Sequence, residues 1–315
     1  MATQHARATV ITQRRFGGPE VLEAEERPLP VPAPGEVLVR VRAAGVNRVD
    51  LLIRSGTAPL YGEPPFTLGR DVSGTVEAVG ADVTRFRPGD EVFGKVHAGG
   101  YATHLTAPAA HFAAKPATLD HVHAAAAPTA TLTAWQALID IGRVGPGTRV
   151  LIHAAAGGVG HAAVQLAKAE GAYVVATARA DRHGFLRELG ADEPHDYTAG
   201  DFTESVRDID VALDLVGGDY GPRTLGTLRP GGLLVCALPG DLGLSPEDVE
   251  ARGMRFAVVE AEPSGERLAK IAALLANNRI RIHVEAALPF AEAAKAHELA
   301  EAGHAKGRLV LVLPD

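Results

Sequence analysis

The residues whose types and spacing point most clearly to chemistry lie at positions 150–161, where an apolar run meets a cluster of glycine and alanine. Gly157 and Gly160 stand three residues apart, and Ala155 occupies the place where a dinucleotide-binding fingerprint usually has its first glycine. A strand, a tight turn of small residues and a helix direct backbone N–H groups at a phosphate. The segment therefore predicts a pyrophosphate-binding turn.

The end of the next predicted strand indicates which dinucleotide is bound. This strand, at 173–177, follows one helix later and completes a βαβ unit. An acidic residue at its end would bind the ribose 2′-hydroxyl of NAD, but the sequence has Ala178 there, followed by Arg179 and Arg182. Guanidinium groups suit a phosphate dianion in both charge and geometry. The sequence thus predicts NADPH as the cofactor, although Asp181 argues against it.

Composition excludes several classes of protein. The chain is 46% hydrophobic and 22% charged, with a net charge of −7 and no basic run, which disfavours nucleic acid and anionic membranes as partners. It has no apolar signal core near its N-terminus and no run of about 18 apolar residues, so we expect a cytoplasmic protein. Its single cysteine, Cys236, lies in an apolar run, where a buried structural thiol is expected.

The 315 residues suit two domains of an α/β protein. Up to about residue 125, short strand-type runs alternate with Gly/Pro turns, which is typical of a compact barrel-like β domain. From 150 to about 259, strands and helices alternate, which predicts a doubly wound parallel sheet. The predicted domains are 1–126 with 265–315, and 127–264. The predicted elements include strands at 150–153, 173–177, 211–215, 233–237, 256–259, 279–286 and 309–313, and helices at 124–139, 265–276 and 291–300.

Several segments resemble the medium-chain dehydrogenase/reductase superfamily: 44–50, 68–76, 89–94, 132–135, the glycine fingerprint and 306–311. The resemblance covers nearly the whole chain and implies a β-rich GroES-like barrel domain plus a Rossmann domain. Zinc alcohol dehydrogenases have a cysteine where this chain has Asn47, and Gly-His-Glu where it has Gly69-Arg70-Asp71. Arginine is not a metal ligand, so we expect no zinc. The chain thus resembles the zinc-independent quinone oxidoreductase branch. Its sequence at 153–160 also resembles that of polyketide synthase enoyl-reductase domains.

This resemblance implies roles for individual residues. Asn47 would lie near the nicotinamide and the substrate, although a turn-capping asparagine fits the residue equally well. Thr133 would lie near the nicotinamide ribose or amide, unless it only begins a helix. Tyr61, in the proline-rich loop at 58–62, is a candidate to line the substrate site or supply a proton, although the resemblance does not extend to this loop. His161 could favour phosphate as a cation or simply pack. The predicted cofactor-binding residues are Ala156, Gly157, Gly158, Val159, Gly160, Thr177, Arg179, Arg182, Tyr197, Val216, Gly217 and Leu238.

The predicted activity is NADPH-dependent, zinc-free hydride transfer to a quinone or an α,β-unsaturated carbonyl. Two alternatives stay open: a biosynthetic enoyl or ketone reductase acting on a polyketide-like intermediate, and a non-enzymatic NADPH-binding protein. Similar proteins commonly dimerise by joining the sheets of their nucleotide domains, and residues 256–259 form the apolar candidate edge. We therefore expect a homodimer with a small-molecule substrate and neither a nucleic acid nor a membrane as partner.

Overall fold

The computed structural model describes residues 7–237, 243–303 and 305–314. The chain forms two compact units, the first comprising Met1–Thr129, Glu262–Asn277 and Ile282–Asp315, and the second Ala130–Ala261 with Asn278–Arg281. The predicted boundaries at 126/127 and 264/265 each lie three residues from those of the units (129 − 126 and 264 − 261). The segment Asn278–Arg281 belongs to the second unit, whereas the prediction placed it in the first domain.

The elements are numbered in chain order. The strands are β1 (Arg7–Gln13), β2 (Glu23–Pro28), β3 (Glu36–Val46), β4 (Phe66–Thr67), β5 (Asp71–Val79), β6 (Glu91–Lys95), β7 (His104–Pro108), β8 (Phe112–Ala114), β9 (Arg149–Ile152), β10 (Tyr173–Ala178), β11 (Glu193–Asp196), β12 (Ile209–Asp214), β13 (Leu228–Cys236), β14 (Arg255–Val258), β15 (Val284–Pro289) and β16 (Arg308–Val312). The helices are α1 (Arg48–Ser55), α2 (His121–Ala126), α3 (Pro128–Trp135), α4 (Gly160–Ala169), α5 (His183–Glu188), α6 (Tyr220–Leu225), α7 (Pro246–Glu250), α8 (Gly265–Ala276) and α9 (Ala293–Glu301).

The first unit contains two sheets. A three-stranded antiparallel sheet has the order β2-β1-β4, and a larger sheet has the order β15-β16-β3-β5-β6-β8, with β7 paired to β3. Val37, Val72 and Phe112 of the larger sheet pack with Phe290 and Ala296 into one apolar core. This core holds the strand ends and the helices α1 and α9 that carry the polar residues described below. It corresponds to the β-rich domain predicted from the sequence.

The second unit is built on a six-stranded parallel sheet with the order β11-β10-β9-β12-β13-β14. The chain runs outward from β9 through β10 to β11 and then returns to the other side of β9 at β12. Nucleotides bind outside the carboxyl ends of strands at such a reversal. Val150, Leu151 and Ile152 of β9 are fully buried, as expected for a central strand covered on both faces. The prediction of a doubly wound sheet is confirmed.

Two predicted elements were wrong. The helix predicted over 124–139 is interrupted at Ala127, between α2 and α3, because the ring nitrogen of the following Pro128 cannot donate a helical hydrogen bond. The segment Gln136–Ile141 is π-helical. The strand predicted over 279–286 begins only at Val284. In the preceding residues the N–H of Arg281 binds the Gln165 side chain, 2.9 Å away, instead of a neighbouring strand.

Among the helices of the described residues, none has the length and apolar character needed to cross a membrane.

Candidate functional site

The turn between β9 and α4 has the close packing that a phosphate-binding turn requires. Ala154 has a positive φ of 47°, and its carbonyl accepts a 2.9 Å hydrogen bond from the N–H of Gly157. A Cβ at Gly160 would lie 2.3 Å from the Ala154 oxygen and 2.6 Å from Ala155 Cα. Only glycine therefore allows α4 to begin this close to the strand. Ala156, Gly157, Gly158 and Val159 are partly exposed at the helix N-terminus, where backbone N–H groups and the helix dipole favour an anion.

Two histidines flank the turn, and both are fully buried. His161 Nδ1 lies 2.9 Å from the Gly157 carbonyl and donates to it, so the ring stabilises the turn from the core side. His153 bridges the hydroxyls of Thr177 and Thr224 at 3.0 and 2.9 Å. Burial lowers the pKa of His153 to about 3, which keeps the ring neutral at pH 7. These positions favour the packing interpretation of His161 over that of a surface cation.

Thr177 lies below the turn rather than at its surface. Its hydroxyl meets His153 in the core, and its carbonyl accepts a 3.0 Å hydrogen bond from the N–H of Ala155. Thr177 thus ties the end of β10 to the phosphate turn. A direct contact between Thr177 and a cofactor stays a prediction.

The carboxyl ends of β10 and β11 present the guanidinium groups of Arg179 and Arg182 and two carboxylates, Asp181 and Asp196, of which Asp196 accepts hydrogen bonds from Thr198. The Nε atoms of Arg179 and Arg182 each lie 3.7 Å from an oxygen of Asp181, and the three side chains are 56%, 30% and 57% exposed. Tyr197, which follows β11, is exposed. Two guanidinium groups can bind a phosphate dianion. A 2′-phosphate at this end of the sheet stays a prediction.

The turn after β12 is organised by Asp214, which the sequence reasoning missed. Its Oδ1 accepts hydrogen bonds from the N–H groups of Val216 at 2.8 Å and Gly217 at 3.0 Å, and Gly217 adopts a positive φ of 78°. Asp214 Oδ2 is buried and has no hydrogen-bond partner within the described residues, and burial raises the pKa of this carboxyl group. The available signal was an aspartate that follows an apolar run and stands three residues before a double glycine. Leu238 lies outside the described residues.

In the first unit, Asn47 belongs to a buried polar network. Its Oδ1 accepts from Arg308 at 2.9 Å, and its Nδ2 donates to Asp71 at 3.1 Å. Arg308 also pairs with Asp71 at 2.7 Å, and Thr129 donates to Asp71 through both its N–H and its hydroxyl. Asp50 Oδ2 accepts from the Asn47 N–H at 2.9 Å, which caps the first turn of α1. Asn47 thus occupies the N-cap position of α1, while its side chain binds Arg308 and Asp71. Its predicted contact with the substrate stays a prediction.

Asp50 extends this network toward helix α9. Tyr101 donates to Asp50 Oδ2 at 3.3 Å and lies 3.1 Å from His297 Nε2. Arg54 Nη1 lies 3.2 Å from His297 Nδ1, and Arg54 Nη2 pairs with Glu301. Asp50 Oδ1 is buried without a partner in the described part of the chain. Burial, opposed mainly by the hydrogen bond from Asn47, raises the pKa of Asp50 to about 6.

The other two predicted catalytic residues lie in different units. Thr133 is buried in the last turn of α3, so the alternative of a helix-initiating threonine is wrong. Tyr61 is partly buried, donates its hydroxyl hydrogen to the His97 carbonyl and packs edge-on against Phe66 with ring centroids 5.4 Å apart. Burial and the negative charge of Asp50 raise the pKa of Tyr61 above its usual range, so the hydroxyl keeps its proton.

The single cysteine and the potential metal ligands were both considered in the sequence. Cys236 is buried, as predicted, and burial raises the pKa of its thiol to about 12. Within residues 7–237, 243–303 and 305–314, the structure brings together no group of three His, Cys, Asp or Glu side chains that could hold a metal ion.

Comparison with known proteins shows that the chain matches two protein families and is similar to relatives over nearly its whole length. Residues 33–117 match the alcohol dehydrogenase GroES-like domain family, and residues 189–311 match the zinc-binding dehydrogenase family. The quinone oxidoreductase of Sus scrofa is 33% identical over 99% of this chain and 100% of its own length.

Two solved structures are similar over nearly their whole length. The quinone oxidoreductase of Coxiella burnetii has a TM-score of 0.93 and 34% identity, covering 98% of this chain and 100% of its own. The quinone oxidoreductase of Escherichia coli, solved in complex with NADPH, has a TM-score of 0.90 and 30% identity, covering 96% and 99%.

Proposed function

The chain belongs to the quinone oxidoreductase branch of the medium-chain dehydrogenase/reductase superfamily, and we propose that this oxidoreductase uses NADPH, without zinc, to reduce a quinone or an α,β-unsaturated carbonyl. The observation that carries the proposal is the arginine pair beside the phosphate turn. Arg179 and Arg182 follow β10, where a NAD-specific site would have a carboxylate. The NADPH complex of the Escherichia coli relative supports the same cofactor.

The residues of the second unit fit a bound dinucleotide. The turn around Gly160 leaves backbone N–H groups for the pyrophosphate, and Arg179, Arg182 and Tyr197 would surround the 2′-phosphate. When bound, the nicotinamide supplies a hydride, and negative charge develops on the carbonyl oxygen of the acceptor. The protein must supply a hydrogen-bond donor for that oxygen.

We assign this donor role to Asn47. One of its two Nδ2 hydrogens binds Asp71, and the second has no acceptor in the described part of this chain. The amide orientation is fixed, because a flip would set Nδ2 against the Arg308 guanidinium and Oδ1 against the Asp71 carboxylate. A donor held in place before reaction stabilises developing charge without reorganisation.

The absence of zinc from the mechanism is part of the proposal. It is supported by Asn47 and Arg70, which stand where zinc-dependent members have a cysteine and a histidine. Elemental analysis of the active enzyme tests it: activity that follows bound zinc, and that disappears with a chelator, refutes this part.

The decisive assay follows the absorbance of NADPH on mixing with a panel of acceptors containing 1,4-benzoquinone, an enone, a simple ketone and a bulky enoyl thioester. Oxidation by benzoquinone or the enone is expected. If no acceptor oxidises NADPH, the chain is a non-enzymatic binder and the proposal is wrong. If NADH serves as well as NADPH, the interpretation of Arg179 and Arg182 is wrong. A strong preference for the thioester favours the biosynthetic enoyl reductase, which the sequence at 153–160 supports as second candidate.

We further propose a homodimer and a cytoplasmic location. β14 is an edge strand of the six-stranded sheet, and Val258 on it is 54% exposed. Unpaired edge strands of this kind bind a second copy readily. Light scattering of the wild-type protein and of Val258→Lys tests the dimer, and a lysine variant that keeps the dimer mass argues against this edge.

A further inference from the structure

Four buried polar side chains form a continuous chain of hydrogen bonds in the first unit. Asp50, Arg54, Tyr101 and His297 are each at most 2% exposed. Asp50 and Arg54 lie on α1, Tyr101 follows Gly100, and His297 lies on α9, so the chain connects three segments that are distant in sequence. Successive donor–acceptor distances between them are 3.2, 3.1 and 3.3 Å.

The direction of these hydrogen bonds follows from chemistry. Arginine can only donate, so His297 Nδ1 accepts from Arg54 and the neutral ring carries its hydrogen on Nε2. That hydrogen is donated to Tyr101 Oη, and the Tyr101 hydroxyl donates to Asp50 Oδ2. Burial and the nearby Arg54 lower the pKa of His297 to about 3, in agreement with a neutral ring.

The chain of hydrogen bonds ends at Asp50, in the first turn of α1. Asp50 and Arg54 are four residues apart and share one face of the helix, so the hydrogen bonds close a ring on α1. Asp50 also accepts from the N–H of Asn47. On the other side, Tyr101 lies against Gly69, where a Cβ would be 2.4 Å from the tyrosine ring, and its N–H donates to Leu68 at 2.9 Å.

Tyr101 therefore contacts two of the three segments that hold Asn47, the third being the strand that carries Arg308. One is the first turn of α1, and the other is the loop at 68–70 that leads directly to Asp71, the acceptor of the Asn47 amide. A buried polar network of this kind contributes less to stability than a well-packed apolar core of the same volume, but it fixes geometry.

We propose that Tyr101 and His297 are positioning residues that orient the Asn47 amide toward the substrate carbonyl. This proposal rests on the proposed function. It predicts that loss of the Tyr101 hydroxyl lowers the turnover rate through Asn47 and leaves cofactor binding unchanged, because the phosphate turn and the arginine pair belong to the second unit.

The first experiment compares the wild type with Tyr101→Phe, which keeps the ring and removes the hydroxyl. We expect kcat with benzoquinone to fall about tenfold, as for the loss of one hydrogen bond to a charged group, with the KM for NADPH unchanged. His297→Leu should give a similar fall and His297→Gln a smaller one, since the amide can replace one of the two hydrogen bonds. Tyr173→Phe, which removes an exposed hydroxyl near Glu193, is the matched control and should keep the wild-type kcat.

A double-mutant cycle then separates positioning from general structural support. In an Asn47→Ala background, Tyr101→Phe should change kcat less than twofold, because its effect passes through the missing amide. If the two single effects multiply in full, or if Tyr101→Phe keeps the wild-type kcat, the proposal is overturned. If Tyr101→Phe fails to fold, His297→Gln replaces it in the cycle with Asn47→Ala, and the same outcomes support or overturn the proposal.

Failure of the proposed function itself is recognisable separately, since the wild type would then fail to oxidise NADPH with any acceptor of the panel. In that case hydrogen exchange of residues 47–55 decides the question of positioning. Faster exchange in Tyr101→Phe than in Tyr173→Phe supports the link to Asn47, and equal exchange overturns it.

Discussion

Replacement of Asp50 by asparagine should change how the stability of the protein depends on pH. Asp50 is fully buried, and its Oδ2 accepts hydrogen bonds from Asn47 and Tyr101, whereas its Oδ1 has no partner among the described residues. Asparagine can keep the two hydrogen bonds through its own oxygen, but it carries no charge at any pH. The substitution therefore removes the titration of this site while it keeps the connections to the first turn of α1.

The magnitude follows from the pKa of Asp50, which is about 6 in the folded protein against an ordinary value of 3.8. Burial is the main cause. The hydrogen bond from Asn47 opposes it, as do the charges of Arg70 and Arg308, whereas repulsion from Asp71 adds to it. Because the pKa is raised, the folded state gains from protonation below 3.8 and loses that gain as the pH rises through 6. The wild type should therefore lose about 2.5 kcal/mol relative to Asp50→Asn between pH 4 and pH 8.

The assay is urea unfolding of both proteins at several pH values between 4 and 8. An unsatisfied NH₂ group in the variant would reduce its stability by a similar amount at every pH, so the change with pH is the informative quantity. Asp201→Asn is the control, since hydrogen bonds from Thr203 and Arg223 lower the pKa of Asp201 to about 2 and keep its contribution nearly constant over this range. A stability difference between wild type and Asp50→Asn that stays flat from pH 4 to pH 8 would refute the reasoning.

Three further predictions concern the second unit. Arg179→Ala combined with Arg182→Ala should weaken NADPH binding ten- to hundredfold and leave NADH binding nearly unchanged in fluorescence titrations, and an equal loss for both cofactors contradicts the 2′-phosphate site. Asp181→Asn should raise the preference for NADPH over NADH several-fold at low salt, because it removes a negative charge 3.7 Å from both guanidinium groups; a gain that persists at 1 M salt is not electrostatic. Gly160→Ala should abolish NADPH binding or lower Tm markedly, because its Cβ would lie 2.3 Å from the rigid Ala154 carbonyl, and normal binding by a stable variant would show that the turn can move.

The nucleotide-binding half could be predicted from the sequence because its signals are local. The alternation of apolar strands and helices is enough for the parallel sheet, and the small residues around Gly160 are contiguous with the strand that they follow. The change of charge from Ala178 to Arg179 and Arg182 is likewise a short-range feature. By contrast, Pro128 interrupted a helix that composition alone favoured, because an alanine-rich run hides the effect of one missing N–H.

The polar network of the first unit could not be predicted, because its members are far apart in the chain. Arg54 and His297 are 243 positions apart, and Asn47 and Arg308 are 261 apart. A histidine among the alanines of α9 resembles a surface residue as much as a buried one. The one available signal was the spacing of Asp50 and Arg54, which places a carboxylate and a guanidinium on the same face of α1.

The geometry around Asn47 makes a structural and a catalytic role compatible. Its oxygen and one amide hydrogen hold Arg308 and Asp71, so replacement by alanine leaves a buried ion pair without two of its hydrogen bonds. Replacement by aspartate is the sharper change, because it keeps the acceptor for Arg308 and sets a second carboxylate against Asp71. Asn47→Asp should therefore lose both stability and turnover. An Asn47→Asp enzyme with wild-type kcat would remove Asn47 from the reaction and leave it only the cap of α1.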